Sequence, residues 1–271
     1  MSIVSEVYLW IAVMGMIALS VAAAAADDAT APAAQPSIPF LDQYEARVYM
    51  PYRLLKPKDY DPKRSYPLVL FLHGMGERGS DNDRQLINGA SEFFANDEAR
   101  AKYPCFAVIP QCPDNDTWAN WEPNGVALPR PARAALDIVG ALQKEFNIDP
   151  ARLYIGGLSM GGYGTWQIIT EHPQLFAAAF PICGGGDPIR AARLAKIPIW
   201  AFHGADDDVV NPEKSRSMIK AIKDAGGNPK YTEYPGVGHD SWVHAFKEPG
   251  LLEWLFAQQL LAAGPPNVAG K

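Results

Sequence analysis

Six short apolar runs recur along the chain with room for a helix between most neighbours: PLVLFLHG (67–74), FAVIPQ (106–111), RLYIGG (152–157), FAAAFPICG (176–184), IPIWAFHG (197–204) and PKYTEYPG (229–236). Most are apolar at consecutive positions, so as strands they would be buried on both faces. That belongs to a parallel sheet covered by helices. The intervening segments supply those helices. PARAALDIVGALQKEFNI (131–148) places Ala135, Ile138, Val139, Leu142 and Phe146 at helical spacing. NPEKSRSMIKAIKDAG (211–226) opens with Asn211 before Pro212 and stops at Gly226, a normal start and end for a helix. A third amphipathic stretch runs over 248–261. Strand and helix alternating through one chain predict an α/β fold: a doubly wound, mostly parallel sheet with helices on both faces, in a single domain over 43–262.

The two ends read differently. Residues 7–26, VYLWIAVMGMIALSVAAAAA, carry no charge and finish in an alanine run. This predicts a signal peptide over 1–26, cleaved near Ala26, and a secreted or periplasmic chain. The leading MSIVSE carries Glu6 and no Lys or Arg, and about 20 apolar residues can also cross a bilayer, so an uncleaved anchor is the competing reading. Residues 27–42 form an Ala/Pro-rich linker and 263–271 a tail of disordered composition.

The charge balance narrows the partners. With 24 Lys and Arg against 30 Asp and Glu, the net charge is −6, and the acids are scattered. No basic footprint for nucleic acid or an anionic membrane is present. A small-molecule or polymer-linked substrate is the expected partner, and the oligomeric state is left open. Cys105, Cys112 and Cys183 are odd in number, and the first two flank an extended run that would hold them about 20 Å apart, which predicts no disulfide framework. No Cys or His pair or cluster has zinc-ligand spacing, and the five histidines form no HExxH, so no metal is expected.

The chemistry concentrates in YIGGLSMGGYGTW (154–166). Gly157-Leu158-Ser159-Met160-Gly161 is a G-x-S-x-G between a β-rich run and a helix-compatible one, the setting of a nucleophile elbow. A serine on such a turn is held in a strained backbone conformation, and its neighbours must lack side chains so that other backbones can come close. A serine nucleophile needs a base and an orienting acid. In this architecture they follow in the order Ser, Asp, His at the ends of later strands. HGADDD follows the run at 197–202 and GVGHDSW (236–242) follows the next, while the glycine-rich LHGMGERGSDN (72–82) stands where an oxyanion-binding loop is expected.

The set LVLFLHGMGERGSDN, GLSMGGYGTW, FAAAFPICGGGD, HGADDDVV and YPGVGHDSW, spanning about 44–258, resembles secreted α/β-hydrolase esterases related to dienelactone hydrolase, polyhydroxybutyrate depolymerase and the feruloyl and acetyl-xylan esterases. The resemblance implies an α/β-hydrolase fold and a carboxylesterase that works through an acyl-enzyme without a cofactor, on short-chain or carbohydrate-linked (acetyl or feruloyl) esters. It implies Ser159 as nucleophile, His239 as base, and the backbone N–H groups of Met75 and Met160 as oxyanion hole. The relatives carry H-G-x-x-D-x-x-V, and aligning His203, Gly204 and Val210 puts the acid at Asp207, with Asp206 and Asp208 more solvated. Two other readings stand beside it: a serine peptidase of prolyl-oligopeptidase-like type, and a non-catalytic binding protein on a hydrolase fold.

Other residues carry weaker expectations. His73 and His203 read as structural, and His244 is the rival to His239 as base. Trp118 and Trp121, in the polar, proline-bounded DTWANWEPN, and Trp242, beside the histidine, are candidates for contact with substrate; Trp166 reads as core. Arg78 reads as ordering its loop by pairing with Asp81 or Glu77, or as a partner for a substrate carboxylate.

Overall fold

The structure is a computed structural model, and it describes residues 42–45, 50–120 and 127–260. The expected signal peptide, most of the linker, Trp121 and the C-terminal tail lie outside the described residues. All the described residues fall in one compact unit.

Eight strands form one sheet: β1 (Asp42–Glu45), β2 (Pro51–Leu55), β3 (Tyr66–Leu72), β4 (Phe106–Pro110), β5 (Ile148–Leu158), β6 (Ala178–Ile182), β7 (Trp200–Gly204) and β8 (Lys230–Tyr234). The order is β1-β2-β4-β3-β5-β6-β7-β8. β1 and β2 are antiparallel to their neighbours, and the other pairings are parallel. Each of the six apolar runs overlaps one of the parallel strands. The two antiparallel strands at the β1 end of the sheet are not read from the sequence.

Among the described residues seven helices accompany them: α1 (Ala90–Ala95), α2 (Asp97–Lys102), α3 (Arg130–Glu145), α4 (Met160–Glu171), α5 (Glu213–Asp224), α6 (Trp242–Ala245) and α7 (Leu251–Phe256). Every residue of β3 is buried, as its double-faced apolar pattern requires. Val69 and Phe71 point into a cluster with Phe94 of α1, Phe180 of β6 and Leu251 and Leu255 of α7. Leu72 faces the other way, toward Gly164 of α4. Both faces of the sheet are therefore covered. In α3 the stripe Ala135, Ile138, Val139 and Leu142 is buried, so the helical spacing read from the sequence is the packed face. At α5, the Asn211 side chain accepts the Glu213 N–H at 2.9 Å, capping the helix start. The cysteines are all free and buried.

Because β3, β5, β6, β7 and β8 run in parallel, the loops after them share one edge. The glycine-rich turn after β3, Ser159 after β5, Cys183 after β6, the aspartates after β7 and His239 after β8 are all delivered there. Open α/β sheets bind ligands at this carboxyl edge.

Candidate active site

Ser159 sits between β5 and α4 with φ 53° and ψ −116°, a left-handed conformation costing a non-glycine residue about 1–3 kcal/mol. Close packing enforces it. A Cβ on Gly161 would lie 1.9 Å from the Leu72 carbonyl oxygen, and one on Gly157 would lie 2.5 Å from the Gly161 oxygen. The flanking glycines thus let α4 press onto the end of β3, and the serine takes the only turn that fits. Its own N–H donates to the Ile182 carbonyl at 3.0 Å, tying the turn to β6.

His239 Nε2 lies 2.9 Å from Ser159 Oγ, and His239 Nδ1 lies 2.8 Å from Asp207 Oδ2. The loops holding the last two are zipped together. Ala205 N–H donates to Tyr234 O at 2.9 Å and Asp206 N–H to Val237 O at 3.0 Å, while a Cβ on Gly204 would stand 2.2 Å from Gly238 O. Asp207 is buried between exposed Asp206 and Asp208. Its Oδ1 accepts the Val209 and Val210 N–H groups at 2.9 and 2.8 Å.

Burial pushes the Asp207 carboxyl upward. Hydrogen bonds from His203, His239 and the Val210 N–H outweigh it and hold the group well below the usual carboxylate range. An ionised Asp207 can only accept, so the proton between the two lies on His239 Nδ1. Nε2 is left with its lone pair aimed at the serine hydroxyl.

The oxyanion candidates stand at helix starts. Met160 is the first residue of α4, and Met75 begins a short 3₁₀ turn over Met75–Glu77. First-turn N–H groups have no acceptor within their own helix. The turn is braced from beneath. Glu77 is buried; its Oε2 accepts the Gly74 N–H at 2.6 Å and its Oε1 accepts from Asn88 at 2.6 Å. Burial raises its pKa. His73 is buried too: Nδ1–H donates to Gly74 O at 2.6 Å and Nε2 accepts the Cys112 N–H at 2.9 Å. That bonding needs the neutral ring, and burial lowers its pKa to about 4.

Some expectations need correcting. Trp118 has no exposed surface; its Nε1–H donates to His73 O at 3.0 Å and its ring edge meets His73 at 5.2 Å. It props the glycine-rich turn and offers no face to a substrate. Arg78 orders the loop, but through the carbonyls of Met75 (3.1 Å) and Asp116 (3.4 Å), not through Asp81 or Glu77. Trp242 is half-buried and stands edge-on to His239 at 5.5 Å, beside the site. His244 lies exposed against Tyr234 at 5.3 Å, while His239 meets the serine. Trp166 is core.

Two neighbours of the site were not read from the sequence. Tyr163, one turn into α4, has its pKa raised to about 12 by burial and by the Asp207 charge. Cys183 offers its Sγ within 4.8 Å of ligand atoms of Asp207 and His239, the one such group among the described residues. Burial and the Asp207 charge push its thiol far upward, so it stays protonated. Both ring nitrogens of His239 are already engaged, and the cluster is better suited to proton transfer than to holding a metal.

The chain is similar to several known proteins. Residues 127–249 match the model of the dienelactone hydrolase family. A bifunctional acetylxylan esterase/xylanase of Neocallimastix patriciarum is 31% identical over 160 residues, covering 58% of this chain and 22% of that protein. A carboxylesterase of Arabidopsis thaliana is 24% identical over 63% of this chain and 82% of its own length. The crystal structure of a thermostable esterase is 46% identical, with a TM-score of 0.75 over 79% of this chain and 60% of that one. The chain thus spans only about a fifth of the acetylxylan esterase/xylanase, 22%. The fold is that of the α/β-hydrolases, and residues 127–249 are similar to the dienelactone hydrolase family.

Proposed function

We propose that the chain is a serine carboxylic ester hydrolase acting through an acyl-enzyme. The observation that carries the reading is the continuous line from Ser159 Oγ to His239 Nε2 (2.9 Å) and from His239 Nδ1 to Asp207 Oδ2 (2.8 Å). His239 takes the Ser159 proton as Oγ attacks the ester carbonyl, and the Met75 and Met160 N–H groups receive the developing oxyanion. His239 then gives its proton to the leaving alkoxide. Water, deprotonated by the same ring, attacks the acyl-enzyme and regenerates the serine. Asp207 holds the tautomer and stabilises the imidazolium. A hole of this kind contributes about 3 kcal/mol per donor, which is why the turn after β3 is braced from several sides.

Short-chain or carbohydrate-linked esters, acetyl or feruloyl, are the substrate class we favour, on the names of the relatives and on the acidic, unpatched surface. Export through the apolar segment 7–26, with cleavage near Ala26, fits such a role. A panel of p-nitrophenyl and methyl hydroxycinnamate esters, run on the wild type and Ser159→Ala, tests the reading. Turnover lost in the variant supports it, and turnover retained overturns it.

A further inference from the structure

Asp207 does not face His239 alone. His203, fully buried at the end of β7, places Nε2 3.2 Å from Asp207 Oδ2, the same oxygen that accepts from His239, and 2.9 Å from the Val210 carbonyl oxygen. Both neighbours only accept, so Nε2 carries the proton. On its other side Nδ1 lies 2.7 Å from Ser215 Oγ, which is 3.1 Å from the Gly184 carbonyl. Ser215 belongs to the first turn of α5 and is itself buried. With Nε2 protonated, Nδ1 accepts the Ser215 hydroxyl proton, so the ring is anchored to a helix that does not belong to the loop carrying Asp207.

The bonding leaves the carboxylate no freedom. Oδ1 takes two backbone N–H groups, and Oδ2 takes the His239 Nδ1–H at 2.8 Å together with a longer 3.2 Å share of the His203 Nε2–H, which the Val210 carbonyl also receives at 2.9 Å. A carboxylate has about four lone-pair directions, so all are filled. Were the His203 donor absent, the carboxylate could twist about its Oδ1 anchor, and the 2.8 Å contact to His239 would not be held in line.

We propose that His203 is a positioning residue for the esterase reaction: its Nε2–H, fixed by Ser215, clamps the Asp207 carboxylate in the plane that orients His239. The line then runs Ser215, His203, Asp207, His239, Ser159, with gaps of 2.7, 3.2, 2.8 and 2.9 Å. This rests on the proposed acyl-enzyme reading, and it asks of His203 more than filling the core. Outer partners that orient a reacting group are typically worth about 10- to 100-fold in activity.

Two variants of similar polarity separate the roles. His203→Gln can set an amide N–H where Nε2 stands; His203→Asn reaches only the Nδ1 side, keeping a partner for Ser215 but losing the donor to Asp207. On the full chain, with p-nitrophenyl acetate, H203N should lose about 10- to 100-fold in kcat with KM little changed, and H203Q should restore most of it. Equal kcat in the two variants overturns the proposal. The far-downfield proton resonance of His239 Nδ1–H gives a readout without turnover: it should persist in H203Q and vanish or broaden in H203N. Persistence in both would also overturn it. Should either variant fail to fold, Ser215→Ala decides, since it frees the ring from α5: lowered kcat and a broadened resonance support the clamp, and no change in either refutes it. A wild type that shows the resonance but turns over no ester would fail the esterase reading, leaving the clamp to be judged by the resonance.

Discussion

Asp207 Oδ2 lies 2.8 Å from His239 Nδ1, while the adjacent Asp206 and Asp208 side chains stand in solvent. Three consecutive carboxylates therefore have unequal work. Asp207→Asn keeps the shape but favours the wrong tautomer of His239, and should lower kcat roughly 10³- to 10⁴-fold. Asp206→Asn and Asp208→Asn should stay within about twofold of wild type, as exposed surface changes usually do. Steady-state kinetics of the three variants check this, and similar losses in all three would move the acid elsewhere.

Much of this was legible beforehand, for physical reasons. The apolar runs betray buried parallel strands, because nothing else is apolar on both sides over so few residues. The elbow announces itself because only small residues allow α4 to touch β3. What stayed hidden depends on contacts between distant segments. β1 is an edge strand with β2 beside it, and in β2 half-buried Pro51 and Arg53 alternate with buried Tyr52 and Leu54. α1, α2 and α6 have 6, 6 and 4 residues, too short to show a helical period. Trp118 sits in a polar stretch that reads as exposed, yet it docks beneath the His73 carbonyl. Cys183 meets Asp207 only because β6 and β7 lie side by side.

Glycine in a helix is usually a weakness, and two glycines here should respond in opposite directions. In α4, a Cβ at Gly161 would collide with the backbone of β3, 1.9 Å from Leu72 O. Gly161→Ala should cost more than about 4 kcal/mol or prevent folding. In α3, a Cβ at Gly140 meets nothing within 4 Å. Gly140→Ala should stabilise by about 0.5–1 kcal/mol through helix propensity. Urea unfolding midpoints would show the pair diverging, and a harmless Gly161→Ala would contradict the elbow packing.

His73 makes stability depend on acid. Its pKa falls from 6.5 to about 4 in the folded protein, so between those values the unfolded chain binds more protons than the native one. Stability then rises with pH through this window. It is fully present above pH 6.5 and is lost as pH falls to about 4, a change on the order of 3 kcal/mol from this residue. Denaturant unfolding at a series of pH values should show that slope. His73→Gln should flatten it, whatever it does to stability at neutral pH, and an unchanged slope would mean the ring is not held neutral.

The central claim is that Ser159 becomes covalently acylated with His239 as its base. Labelling with a fluorophosphonate followed by peptide mass spectrometry tests it most directly. The account predicts a single adduct on Ser159, formed quickly by the wild type, slowed by at least about 10³-fold in His239→Ala, and absent in Ser159→Ala. An unlabelled wild type, or an adduct on another residue such as Cys183, would contradict it.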